Sequence, residues 1–550
     1  MSKKRVLLSA SYSVIEPLGI MHLARIAKQE GWEPNIILGK EPDFKEIREA
    51  IDDFKPNLLG FTAYTGNHVH AFKFFDELRA QKNGLEIVVG GPHPTAFPEH
   101  AIKHADYVVP SEGFNSFRRI LRGEAGKGVV ALEKLEEFPI PDRESFYKNS
   151  PRHLKNSIKN IITQTGCPYR CTYCYNSQNV DSIADALNPE DAAKMKLALK
   201  SSSGRLFPKN VRSVDSVMEE VEDILKLDPD TKMIFFQDDI FGVEINWLKE
   251  FRQKYNARIP FHIMTRFEFF DPSRPQGKQR AELMRESGCT GLTFAIESAD
   301  HVLRKEVLDR KMEKDMMYRS LSHAAEYGLT ARTFSMVGLP YGATSTPTKM
   351  GLEADLETLE FNVKLKEETG LPTIAWASIL VPYPKTAIDP YCVKHGFYIG
   401  DYNDIIQGSY RQDSVLEFAR EWVGPELRAD TPGVWMDPDE QEHYKKKLSQ
   451  LMYYFPAFAS QPKGHLMARK FLEANNLTPE GFNNAFRAHA YDHTLFMVAG
   501  DSADVNSVSA ETHLGRKNPM IHKDPLTHKN NGDGIGLHVM QGQAVGDVCV

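Results

Sequence analysis

The sequence predicts an α/β protein made of two strand-and-helix units followed by a mainly helical C-terminal region. Three observations carry that expectation. Short apolar strands alternate with amphipathic helices from Lys4 to about Arg122, the alternation resumes from Lys159 to Leu380, and it fades beyond about Tyr391. Such alternation buries a parallel sheet between helices, and ligands then gather at the carboxyl ends of the strands.

The first unit, over residues 1–125, is expected to be a doubly wound sheet. Its strands are read at Arg5–Ser9, Asn35–Leu38, Leu58–Phe61, Glu86–Val89 and Ala105–Val109, and its helices at Leu18–Glu30, Phe44–Phe54, His68–Gln81 and Phe114–Leu121. The run Glu133–Asp142 mixes charge with Pro139 and Pro141, so residues 126–155 read as a linker. In the second unit, over 156–390, six strands are expected at Lys159–Thr165, Met233–Phe236, Phe261–Met264, Gly291–Ile296, Arg332–Val337 and Ile374–Leu380. Helical segments between them suggest a partial (β/α)6 barrel, with its chemistry at the carboxyl strand ends. Helices at Gln412–Trp422, Pro438–Phe455, Gly464–Asn475 and Pro479–His489 fill the region 391–498, and the polar stretch 499–550 reads as a mobile tail. The aromatic run Leu451–Phe458 suits plain core better than a substrate wall.

Composition narrows the function. A net charge of −7 with no basic stripe argues against nucleic acid as a partner, and no segment approaches a membrane span or a secretory leader, so a cytoplasmic protein is expected. Six cysteines in 550 residues are too few for a disulfide scaffold. Three of them, Cys167, Cys171 and Cys174, form a C-x-x-x-C-x-x-C run with no equally close fourth ligand, whereas a structural zinc site closes with a fourth Cys or His. A four-iron cube held at three corners keeps one iron open to a ligand. Cys289, Cys392 and Cys549 read as packed or incidental.

The cysteine spacing, with Tyr173 just before the last cysteine, resembles the radical S-adenosylmethionine (SAM) superfamily, in which a 4Fe-4S cluster cleaves SAM to a 5′-deoxyadenosyl radical. The resemblance implies further contacts in barrel order. Tyr173 would lie beside the adenine, and Gln237, Asp238 and Asp239, after the second strand, would meet the SAM amino group. Glu297 and Ser298, after the fourth, match the ribose motif, and Gly338, after the fifth, would flank the adenine. Arg332 is a candidate for the SAM carboxylate.

In the first unit, Gly60-Phe-Thr-Ala-Tyr-Thr-Gly66, Gly90-Gly-Pro-His-Pro94 and Ser111-Glu-Gly113 follow successive strands. These loops resemble the cobalamin-binding domain, in which such elements cradle the nucleotide tail. The resemblance assigns contacts to Thr62, Tyr64, Thr65, Gly90, Gly91, His93, Glu112 and Gly113. The Asp-x-His-x-x-Gly string of domains that ligate cobalt through histidine is absent, and the corresponding stretch reads Ser13-Val-Ile-Glu-Pro-Leu-Gly19. Cobalamin is therefore expected without a lower protein histidine.

Together the motifs resemble cobalamin-dependent radical SAM enzymes, the branch holding radical SAM methyltransferases and the anaerobic magnesium-protoporphyrin monomethyl ester cyclase. That implies methylation of an unactivated carbon of a small molecule, using SAM, cobalamin and the cluster, with a reducing partner such as flavodoxin or ferredoxin. A cyclase or oxidative rearrangement is the alternative within the architecture. An iron–sulfur electron carrier or metal-sensing binding protein is the alternative outside it.

Overall fold

The computed structural model describes residues 3–13, 15–81, 84–400 and 414–474. The first sheet holds β1 (Arg5–Ser11), β2 (Glu33–Gly39), β3 (Leu58–Thr62), β4 (Glu86–Gly90), β5 (Tyr107–Val109) and β6 (Gly128–Val129), all parallel, in the order β2-β1-β3-β4-β5-β6. Val6 and Leu8 bury on one face of β1 and Leu7 on the other, the alternation a two-sided strand requires. The strand order reverses between β1 and β3, so a crevice opens there at the carboxyl ends.

The stretch expected as a linker is not a free tether. Phe138, Phe146 and Tyr147 are buried in the core on one face of the first sheet, and the chain is pinned along the helix Leu18–Gln29. His22 Nδ1 donates to the Pro139 carbonyl at 2.5 Å, Arg25 donates to the Ile140 carbonyl at 3.1 Å, and Lys28 pairs with Asp142 at 2.8 Å.

The second sheet is likewise parallel: β7 (Ile158–Ile161), then β10 (Met233–Phe236), β11 (Phe261–Met264), β12 (Cys289–Glu297), β13 (Thr330–Val337) and β14 (Ile374–Ile379), in that spatial order. Six strands in sequence order with helices between them make an open, partial barrel, and β7 and β14 are its edges. Between β7 and β10, a short antiparallel pair, β8 (Gln164–Thr165) and β9 (Asn210–Val211), brackets the cysteine loop and a long insert. The insert is ordered: Val180, Ile183, Met195, Leu206 and Phe207 form a small core with Ala131 and Leu132.

In the C-terminal region the helices Pro438–Ala459 and Gly464–Ala474 are present. Leu451, Met452, Tyr453, Phe455 and Phe458 join one core with Val337, Ala377 and Ile379 of the barrel, so the aromatic run is core. The helix expected at Gln412–Trp422 is absent from its described part. Residues 414–422 are irregular, with a bridge between Ala419 and Trp435 and a two-way hydrogen bond between the Gln441 side chain and the Phe418 backbone. Leu416 and Phe418 bury while Glu417 is exposed, a period of two that suits extended chain and not a helix. The expected helix Pro479–His489, the tail 499–550 and Cys549 lie outside the described residues. No described helix is long and apolar enough to cross a membrane.

Candidate active site in two cavities

The cysteine loop leaves β8 and returns over the mouth of the barrel. Cys167, Cys171 and Cys174 line one cleft of about 1280 Å³ together with Asp239, Glu297, Arg266 and Arg310. The loop is fixed from both sides: the Thr172 hydroxyl donates to the Val307 carbonyl at 2.5 Å, and the Thr172 carbonyl accepts the Ile388 N–H at 3.0 Å. Burial, with Asp239 adding to it, pushes the Cys167 thiol up to about 12 and the Cys174 thiol well above its usual range. Bare thiolates are thus costly here and call for a cation.

Two guanidiniums stand at Cys171. Arg266 and Arg310 each bring a nitrogen to 3.6 Å from its sulfur, so that thiolate charge is met by N–H donors. Arg266 is held by Glu268 at 2.7 Å and lies over the Tyr169 ring at 3.6 Å. Among the described residues no other cysteine and no histidine lines the cleft. Three soft sulfur donors, positive neighbours and an open side fit a 4Fe-4S cluster with one free corner and do not fit a closed zinc site.

The remaining expected residues divide. Tyr173 donates its hydroxyl to Glu297 at 2.5 Å and accepts from Arg310 at 3.1 Å. Glu297 ends β12 after a register shift and holds a φ of 67°. A residue with a Cβ seldom takes that conformation, and such strain collects at ligand sites. Asp239 also faces the cleft, raised by burial to about 6.

The others are turned away. Gln237 donates to Asn160 at 2.6 Å. Asp238 is buried beneath the loop, accepting the N–H of Thr163 at 2.6 Å and of Gln164 at 3.0 Å, and burial lifts it to about 7. Successive side chains at a strand end point opposite ways, so only one of the adjacent carboxylates reaches the cleft. Ser298 accepts the Asp300 N–H at 3.1 Å, near the start of the next helix. Gly338 packs outward, where a Cβ would stand 2.9 Å from Leu448. Arg332 lies over Phe235, 5.8 Å from the ring centroid. Arg266 and Arg310 were not anticipated, although Arg266 lies two positions beyond the expected third strand, where the strand-end rule points.

The second cavity, about 1050 Å³, opens at the β1/β3 crevice and is lined by Thr62, Tyr64, Gly90, Gly91 and Gly113, all expected. Gly91 has a φ of 98°, and a Cβ there would stand 2.5 Å from Thr62 Oγ1 and 2.7 Å from the Ala63 carbonyl, so only glycine fits this turn. Ser9 and Ser111 also line the cavity, and their buried hydroxyls have no hydrogen-bond partner among the described residues. Glycine walls with waiting hydroxyls fit the polar tail of a large cofactor such as cobalamin, and no histidine lines this cavity among the described residues.

Thr65, His93 and Glu112 do not reach it. Thr65 Oγ1 lies 3.0 Å from His93 Nδ1, and the His93 ring stacks on His68 at 3.8 Å, with His93 Nε2 3.2 Å from His100 Nδ1. The stacked rings are 15° from parallel, so their in-plane nitrogens do not converge on one ion without turning. This cluster packs the segment after Gly91 against the loop after β3. Glu112 accepts the Phe114 N–H at 2.8 Å at the start of a helix, and burial raises it to about 7.

Comparison with known proteins agrees with this division. The B12 binding domain family matches residues 4–121, and the Radical SAM superfamily matches residues 161–342. The chain is 25% identical to an uncharacterized methyltransferase of Pyrococcus horikoshii, over 70% of this chain and 80% of the relative. It is 20% identical to the cytidylyl-2-hydroxyethylphosphonate methyltransferase of Streptomyces wedmorensis, over 75% and 84% of the two chains. The radical SAM methyltransferase TsrM of Kitasatospora setae, solved with cobalamin and a 4Fe-4S cluster bound, shares the fold with a TM-score of 0.54 at 15% identity, covering 86% of this chain and 99% of that one. Two matched domains, each with its own cavity and donor set, identify the chain as a member of the cobalamin-dependent radical SAM enzymes.

Proposed function

We propose that the chain methylates an unactivated carbon of a small-molecule substrate. When bound, the cluster and SAM supply a 5′-deoxyadenosyl radical, and cobalamin carries the methyl group. Cys167, Cys171 and Cys174 hold the cluster. Glu297, kept in place by Tyr173 and Arg310, accepts the ribose hydroxyls, and Asp239 faces the SAM ammonium. Thr62, Tyr64, Gly90, Gly91 and Gly113, with Ser9 and Ser111, hold the cobalamin tail. Met336, Ile379, Leu380, Val381 and Tyr383 wall the barrel cleft with apolar surface, which excludes water from a reacting carbon and favours a substrate with an apolar or aromatic face. A low-potential donor such as flavodoxin or ferredoxin supplies the electrons.

The observation that carries this reading is the presence of two separate cavities in one chain, one with three thiols and one with a glycine cradle. Curated relatives with methyltransferase names support it. The test is anaerobic turnover with methyl-labelled SAM and candidate substrates. Methylation requires a labelled product heavier by one methylene unit, together with 5′-deoxyadenosine and S-adenosylhomocysteine. A product without the label, formed with no S-adenosylhomocysteine, would replace methylation by cyclisation or rearrangement.

A further inference from the structure

A buried charge network joins the cobalamin-binding unit to the barrel, and neither cavity uses it. Glu16 lies in the loop after β1, in the wall of the cobalamin cavity, yet its carboxylate turns inward. It pairs with Arg143 at 3.0 Å, accepts the Tyr147 hydroxyl, and accepts the Asn160 N–H of β7 at 2.7 Å. Arg143, on the connecting helix Arg143–Asn149, extends its other nitrogen to Glu220 of the helix Val214–Leu227 and to the Asn160 carbonyl, both at 2.5 Å. Glu220 pairs in turn with Arg212, which donates to the Ile162 carbonyl at 2.9 Å. Asn160 also receives Gln237, two residues from Asp239 in the SAM cleft.

All four charged groups are buried, and two carboxylates balance two guanidiniums. Networks of this kind add little stability over apolar packing, but losing one member strands a buried charge. Their benefit is a fixed geometry, and this one ties a cobalamin-cavity loop to the first barrel strand. At the other edge of the sheet, Lys385, just past β14, lies 3.7 Å from Glu99 and 4.8 Å from the Phe97 ring centroid, and donates to the Ser182 carbonyl at 3.1 Å. The cobalamin-binding unit is therefore held at both edges of an open barrel.

We propose that Glu16, Arg143 and Glu220 are positioning residues that hold cobalamin at one fixed separation from the cluster, so that the two units act as a rigid pair and not as hinged domains. The proposal rests on the two cofactor sites alone and is independent of whether the product is methylated. It is tested on the holoenzyme by pulsed dipolar EPR between cob(II)alamin and the reduced cluster. Wild type should give a single narrow distance. Arg143→Gln, loaded with both cofactors, should lose that peak to a broad distribution, and Arg143→Lys, which keeps the charge without the two-pronged reach, should fall between. If Arg143→Gln does not load both cofactors, Glu16→Gln decides, because its amide oxygen can still accept the Asn160 N–H while the charge and the acceptor facing Arg143 are lost. A broad distribution in wild type, or an unchanged narrow peak in the deciding variant, would overturn the proposal.

Discussion

Both cavities have largely apolar walls, and they differ in the polar groups set into those walls. The barrel cleft presents thiols, carboxylates and guanidiniums and binds by ligation and charge. The cobalamin cavity sets glycines and hydroxyls among leucine, isoleucine and valine side chains, and its one lining carboxylate among the described residues, Glu16, is paired with Arg143. One site is therefore vulnerable to loss of a functional group, and the other to the gain of an atom.

The largest effect should come from the cysteines. Cys167→Ala, Cys171→Ala or Cys174→Ala should abolish cluster assembly and 5′-deoxyadenosine formation, while cobalamin binding, read from its absorbance, persists. Cobalamin loss in parallel would merge the two sites and undo the contrast.

Next in size is an acid response at His22, in the cobalamin half. Burial, aided by the nearby Arg212, lowers His22 to about 4 from an ordinary value of 6.5. The unfolded chain binds the proton first, so this contribution to stability is complete above pH 6.5 and is lost as pH falls toward 4, by up to about 3 kcal/mol. Glu112 and Asp238, raised to about 7, act in the other direction, losing stability as pH rises toward that value. The readout is therefore the difference between wild type and His22→Gln in denaturant midpoint across that range. A pH-independent difference would contradict the buried neutral histidine.

Glu297→Ala should weaken SAM binding about ten- to hundredfold, the worth of charge-assisted hydrogen bonds, leaving the cluster spectrum intact. Calorimetry on the loaded protein checks this. Gly91→Ala should loosen cobalamin by about tenfold, since a φ of 98° and a contact of 2.5 Å both oppose a Cβ, with SAM affinity unchanged. Equal losses in both ligands would mean the turn supports the whole molecule and not one cavity.

The contrast also explains what the sequence disclosed. Cys167, Cys171 and Cys174 are legible because ligands three and four positions apart form a local pattern, and the loops after β3 and β4 announce themselves by glycine. Arg266 and Arg310 are not, because they reach Cys171 from 95 and 139 positions away, a relation only the closed barrel creates. Gln237, Asp238 and Asp239 could be placed at a strand end but not sorted, since the direction of each side chain depends on the pleat and on Thr163 and Asn160 across it. Gly338 sits at the expected strand end, yet its neighbour is Leu448 of the C-terminal helix, and no motif in the barrel foretells that packing. The charge network is equally hidden. Glu16, Arg143 and Glu220 are ordinary charged residues in the sequence and become a unit only when three segments meet.

The most direct test of the account is one anaerobic preparation, reconstituted with iron, sulfide and cobalamin, and assayed with SAM and a strong reductant. The account predicts one four-iron cluster and one cobalamin per chain, with 5′-deoxyadenosine released on reduction. A cluster whose fourth iron is ligated by a side chain, and which yields no 5′-deoxyadenosine, would contradict it.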